Sequence, residues 1–355
     1  MTTNLVWLTL SAVISATTQA QGPPLPGLAA DGSIDNTIPA VGTALAPAGQ
    51  LGHVERRGTG RTTLILVPGA GFGWRVWDDF MRRNADRFTM YAITPPGYDG
   101  TPAWPMPTAR RPNGVPDYAK REWSDVLVDA VATLIRRERI DRPIIVGHHV
   151  IGDYVAIRLA ADPRVAARGL VIIGGSPPAF GLPPNADPSR PGVRDSLARD
   201  VFVHGPQASF FRTVTPEAWR TGAFPAGALS WQPDVAERLK AEQLSTPLPI
   251  QIRYYLEYMS ADASAQYAAL DIPVLLIPAR VPFERASQQM RTMLLARTGS
   301  DSAARRVYQA IIQGYPTPQP RGITTTHIAE TGVFVMLDKP RELDAAIAGF
   351  AESIR

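Results

Sequence analysis

The chain has 355 residues, of which 45% are hydrophobic and 19% charged; that supplies a sizeable buried core and excludes a disordered polymer. The formal net charge of +4 comes almost wholly from scattered arginines, because lysine occurs only at Lys120, Lys240 and Lys339; without a basic stripe and interleaved aromatics, nucleic acid is not expected as a partner. Cysteine is absent, which excludes disulfides, thiolate metal sites and a thiol nucleophile.

Residues 5–16, LVWLTLSAVISA, form a short apolar run, and Thr18-Gln19-Ala20 matches a small-x-small cleavage pattern. Residues 1–20 therefore read as a secretory signal, and the expected location is periplasmic or secreted. The run is shorter than the ~20 apolar residues of a membrane span, so stable membrane insertion is not expected. No Lys or Arg precedes Arg56, so the basic start of a signal is missing. The alternative is a core helix in a cytoplasmic protein. Residues 21–52 are a Pro/Gly/Ala-rich leader.

From there strand and helix patterns alternate. Thr62–Val67 is an apolar, β-branched run that stops at Pro68-Gly69, and Val76–Asn84 has a helical pattern. Phe88–Thr94 is a second strand, stopped by Pro95-Pro96-Gly97. Trp123–Glu138 places Val126, Leu127, Ala130, Val131, Leu134 and Ile135 at helical spacing. Pro143–Val146 is a third strand, with a helix following to about Ala161. Leu170–Ile173, Pro273–Ile277 and Thr324–Ile328 continue the series, and Glu342–Ile354 is a closing helix. Strands apolar on both faces, alternating with helices, predict an α/β fold: a mostly parallel central sheet with helices on both faces. Residues 178–270 break the rhythm and hold many aromatics, among them Phe210, Trp219, Trp231, Tyr254 and Tyr258. They predict an inserted, mostly helical cap between two core segments, 53–177 and 271–355, with a ligand pocket at the seam.

Four stretches, in order, resemble the α/β-hydrolase superfamily over roughly residues 54–354: LILVPGAGFGWRVW (64–77), YAITPPGYDGTP (91–102), PIIVGHHVIGDYVAIRLA (143–160) and GVFVMLDKPRELDAAIAGF (332–350). The resemblance implies a small-molecule substrate, and no cofactor or metal is expected. Its Ser-Asp-His triad does not carry over. The family's elbow reads Gly-x-nucleophile-x-Gly. Here one alignment, from Gly147, puts His149 at the nucleophile position; the other, from Gly152, puts Val150 there. A β-branched residue at positive φ is costly, which predicts a relaxed or rebuilt turn. Val333 stands where the family places its histidine, with His327 six residues earlier. No aspartate follows Ile277, and Glu284 is a late candidate.

The remaining candidates are His149 and Asp153, about one helical turn apart, where a carboxylate would orient the imidazole as a general base. His149 could also act as the nucleophile. The competing assignment leaves Asp153 to favour the helix start and His149 to fill the turn. His148 reads as a buried structural residue, and adjacent histidines at a turn point apart, so a metal site is not expected. The amides of Ala70, Gly71 and Val150 are candidate oxyanion donors. Phe72, Trp74, His148 and Ser176 are candidate pocket residues. The expected function is an exported, hydrolase-like enzyme acting on a small apolar ester or carbonyl compound. The alternatives are an inactive homologue that binds a small ligand, and a lyase or isomerase using a His-Asp dyad.

Overall fold

The computed structural model describes residues 44–110, 116–175, 213–215, 217, 229–259, 263–286, 288–313 and 320–354. Among these residues a seven-stranded sheet runs through the molecule in the order β1-β3-β2-β4-β5-β6-β7. The strands are β1 His53–Arg57, β2 Thr62–Val67, β3 Phe88–Thr94, β4 Ile144–His148, β5 Gly169–Ile173, β6 Val274–Ile277 and β7 Ile323–Thr325. All neighbours pair in parallel except β1, which runs antiparallel to β3 at one edge with His53 opposite Thr94. Edge strand β1 was not anticipated: HVERR has no apolar run, and its backbone is ordered by the pairing with β3. The last strand is three residues long and lies slightly earlier than the sequence pattern suggested.

The period-two alternation of each inner strand feeds two separate cores. Ile65, Val67, Ile93, Ile145, Leu170 and Ile172 join one core; Leu64, Leu66, Ala92, Ile144, Val146, Val171 and Ile173 join the other. The first is covered by α2 (Glu122–Arg137) and α3 (Ile151–Ala161), the second by α1 (Asp78–Arg83) and the closing helix α10 (Pro340–Ser353). A short helix, α9 (Val335–Asp338), precedes α10. In the 178–270 interval the described residues form α4 (Pro233–Ser245), α5 (Leu248–Met259) and α6 (Ser264–Ala268), in keeping with a helical cap. After β6, α7 (Gln288–Thr298) and α8 (Asp301–Gln313) build a small satellite core on Phe283, Leu294 and Tyr308. Among the described residues no helix is long and apolar enough to cross a membrane.

One buried polar cluster joins cap to core. Helix α5 carries Arg253 and Glu257 one turn apart, and both are buried. Glu257 accepts from Arg253 Nε at 2.6 Å, from the backbone N–H of Trp123 and Ser124 at 3.2 and 2.7 Å, and from Ser124 Oγ at 2.7 Å. The two amides belong to the first turn of α2, whose N–H groups have no partner inside the helix. A carboxylate there satisfies them and meets the positive end of the helix dipole.

Candidate active site

β4 enters α3 through two residues with left-handed backbone, His149 at φ 46° and Val150 at φ 56°, ψ −113°. Val150 is the N-cap of α3, and two residues later Gly152 presses on the end of β2: a β-carbon there would stand 2.6 Å from the Pro68 carbonyl oxygen. The turn that joins β4 to α3 is thus strained, with the β-branched Val150 at positive φ. The expected relaxation does not occur. Close packing of α3 on β2 at Gly152 keeps the turn tight, and the His149 N–H to Ile173 carbonyl bond, 3.1 Å, ties it to β5. The fold therefore holds a strain of about 1–3 kcal/mol at Val150. His148 ends β4, and the left-handed His149 follows it.

His148 is fully buried, with Trp77 and Phe334 packed edge-on to its ring. Its Nε2 lies 3.0 Å from the Val333 carbonyl, which can only accept, so Nε2 carries the hydrogen. Burial pushes its pKa down to about 3, the charge of His149 adds to the fall, and the Val333 hydrogen bond opposes both. His148 thus ties the end of β4 to the backbone at Val333. Burial also lowers His149, to about 4, against a hydrogen bond with the Gly174 backbone. Asp153 is buried as well, and neither carboxylate oxygen finds a hydrogen-bond partner. Burial raises its pKa well above the usual carboxylate value; the His149 backbone offsets only part of this. The carboxyl is wedged against β5, since a β-carbon on Gly175 would stand 2.0 Å from Asp153 Oδ2. The imidazole–carboxylate hydrogen bond expected from the sequence is not made, because the two side chains turn to different points on the 174–175 segment. From the cap, Tyr258 and Tyr267 face the same region: burial raises both phenols and the Asp153 charge adds to the rise.

The Gly69–Gly71 turn meets the cap directly. Gln243 Nε2 donates to the Ala70 carbonyl at 2.9 Å, and Thr246 Oγ1 to the Gly71 carbonyl at 3.0 Å. Gln251 uses both amide hydrogens on the Gln243 and Thr246 carbonyls, each at 2.7 Å. That fixes its Oε1 toward Gly71, 3.0 Å from where a β-carbon on that glycine would stand. The Tyr98 hydroxyl meets the Gly71 backbone from below, and burial raises its pKa. Sequence reasoning missed Gln243, Thr246 and Gln251. The signal was a polar residue, Gln251, inside the apolar helix LPIQIRYYLEYM.

Other candidates lie apart. Phe72 is buried against Phe334, at 4.8 Å between rings. Trp74 sits by the edge strand against His53 and Arg75. Ser176 lies outside the described residues, as do the signal segment and most of the leader. His327 is exposed and accepts from Arg280 Nε at 3.2 Å. Glu284 is exposed and paired with Arg305. Among the described residues no group of three or more His, Asp and Glu side chains is placed to hold a metal ion.

The profile of the "Alpha/beta hydrolase family" matches residues 64–346. The chain belongs to that family. Among curated proteins this α/β-hydrolase is similar to pimeloyl-[acyl-carrier protein] methyl ester esterase of Proteus mirabilis, 26% identical over 192 residues, which are 54% of this chain. The match spans 62% of that relative's length. Solved structures share the fold at lower identity. Epoxide hydrolase CorEH superposes with a TM-score of 0.55 at 19% identity over 85% of this chain and 95% of its own. An enol-lactonase from Burkholderia xenovorans gives 0.53 at 13% over 84% and 96%. A thermophilic esterase from Thermogutta terrifontis gives 0.52 at 18% over 85% and 93%.

Proposed function

We propose that this α/β-hydrolase acts on a small, largely apolar ester, lactone or related carbonyl compound bound between sheet and cap, without a covalent serine intermediate. One observation carries the reading. The elbow brings together two buried titratable groups, one helical turn apart, whose environments drive their protonation in opposite directions. Neutral His149 is then the base and protonated Asp153 the acid, the arrangement that lets one site take and give a proton at neutral pH. In the proposed step, His149 takes a proton from water as the water oxygen bonds to the substrate carbonyl carbon. The oxyanion forms at the Ala70 and Gly71 amides. As the carbon–oxygen bond to the leaving group breaks, Asp153 gives its proton to the departing oxygen, and a water relays the imidazolium proton back to the carboxylate. The named activities of the esterase and lactonase relatives support the substrate class.

A second reading, binding of a small ligand without turnover, is supported by the sequence resemblance, which in one alignment sets Val150 at the family's nucleophile position and sets Val333 at its histidine position. A screen of esters, lactones and epoxides with the wild type, His149→Gln and Asp153→Asn separates the two. Turnover in the wild type that is lost in both variants, at an unchanged Tm, is the expected result. Turnover that survives in both variants overturns the mechanism. Saturable binding of screen compounds with no turnover selects the second reading.

A further inference from the structure

At the end of the sheet opposite the elbow, where the strands begin, lies a groove of about 440 Å³ whose lining includes four arginines, Arg61, Arg139, Arg142 and Arg168. It lies between the start of β2, the segment after α2 and the residue before β5. Arg168 is half-buried and donates to Thr62 Oγ1 at 2.7 Å, which fixes one guanidinium in the wall. Arg61, Arg139 and Arg142 make no side-chain hydrogen bond or ion pair among the described residues. Two acids also line the groove, Glu138 and Asp141. Glu138 is engaged by Arg137 at 3.0 Å, so the lining keeps a clear excess of positive charge.

The backbone adds an independent observation. Helix α2 ends in a complete Schellman motif: the Ile140 N–H bonds the Ile135 carbonyl at 2.9 Å and the Arg139 N–H bonds the Arg136 carbonyl at 3.1 Å. The left-handed residue of that motif, normally glycine, is Arg139 at φ 53°. Three residues on, Arg142 is also left-handed, at φ 42°, although it precedes Pro143, where an extended conformation is favoured. Both side chains that carry this conformational cost line the same groove. Strain kept at two positions that share a surface leads from the outlier to a role for that surface.

We propose that this groove binds a small multivalent oxyanion, such as a polyphosphate or a polycarboxylate, at a site separate from the cap pocket. Guanidinium groups suit this ligand, because each presents paired donors to paired oxygens. The volume exceeds the needs of a single monovalent ion and falls in the range of small-molecule sites.

The test uses the full protein with pyrophosphate and citrate as probes, titrated calorimetrically and by thermal shift at constant ionic strength. Saturable binding with a rise in Tm is expected for at least one probe. Arg139→Gly and Arg142→Gly should each weaken it at least tenfold. In the absence of anion, each variant should melt at or above the wild-type temperature, since glycine fits the left-handed conformation without cost. That pairing of lost binding with retained stability separates a ligand role from a structural one. The proposal is overturned if the shift follows ionic strength without saturating, or if both variants bind as the wild type does. It is also overturned if the variants melt lower without anion, or if only vesicles of anionic lipid are bound.

Discussion

Mild acid should destabilise this protein through His148 and His149, and the size of the effect follows from their burial. In the unfolded chain each imidazole takes up a proton below about pH 6.5. In the folded chain they do so only near 3 and 4. Between pH 6.5 and 5 the unfolded state therefore gains two protons that the folded state does not, and stability falls as pH falls. Each histidine's slope approaches about 1.4 kcal/mol per pH unit, which integrates to about 1.6 kcal/mol over that window and about 3 kcal/mol for both. Against a total stability of about 5–15 kcal/mol, this is a large fraction. Asp153 acts with the opposite sign. Its folded-state pKa is raised, so its contribution is full below the unfolded value and is lost as pH rises through the folded one. The wild type should thus show a partly cancelled slope, and Asp153→Asn should unmask the full loss. The assay is urea unfolding at intervals from pH 6.5 to 5 for the wild type, Asp153→Asn and Asp153→Asn/His148→Gln. Removing His148 should flatten the slope by about 1.4 kcal/mol per pH unit. An unchanged slope would refute the assignment of a buried, neutral His148.

Glu257→Ala should cost about 3–5 kcal/mol in chemical denaturation, because it leaves Arg253 buried without its partner and bares two amides of α2. Gly175→Ala should destabilise strongly by driving a methyl into the Asp153 carboxyl; Asp153→Ala in the same chain should recover much of the loss, and strict additivity would contradict the contact. Expressed from the full-length gene in a bacterial host with a Sec pathway, the protein should be processed near Ala20; intact mass of the product from periplasm and cytoplasm checks this, and an uncut chain confined to the cytoplasm would sink the export proposal.

The sheet was legible because fully buried parallel strands leave unbroken apolar runs, as in TTLILV and FTMYAIT. Edge strand β1 was not, because its order comes from pairing with β3 and not from its own side chains. The ambiguity of GHHVIGD was a matter of register. The sequence offers two glycines to anchor the turn, and the close contact of Gly152 with Pro68, distant in sequence, is not visible in the pattern. The strain at Val150 was misjudged for the same reason: a local cost was weighed without the packing that sustains it. The direction of Asp153 was equally out of reach. Helical spacing placed it near His149, but the glycine that gives it room lies on β5's exit, at Gly175. The cap's contacts with the Gly69–Gly71 turn depend on the Gln251 amide orientation, which its two carbonyl acceptors fix.

The Glu257 cluster bears on how molecules could pass in and out. Helix α5 carries just two charges, Arg253 and Glu257, and both are neutralised where it meets α2. Lifting the helix would keep that pair together but strip the first turn of α2 of its acceptor. A lid swinging at this corner is therefore the wrong picture. The Trp123 and Ser124 amides should exchange with deuterium only on whole-molecule unfolding.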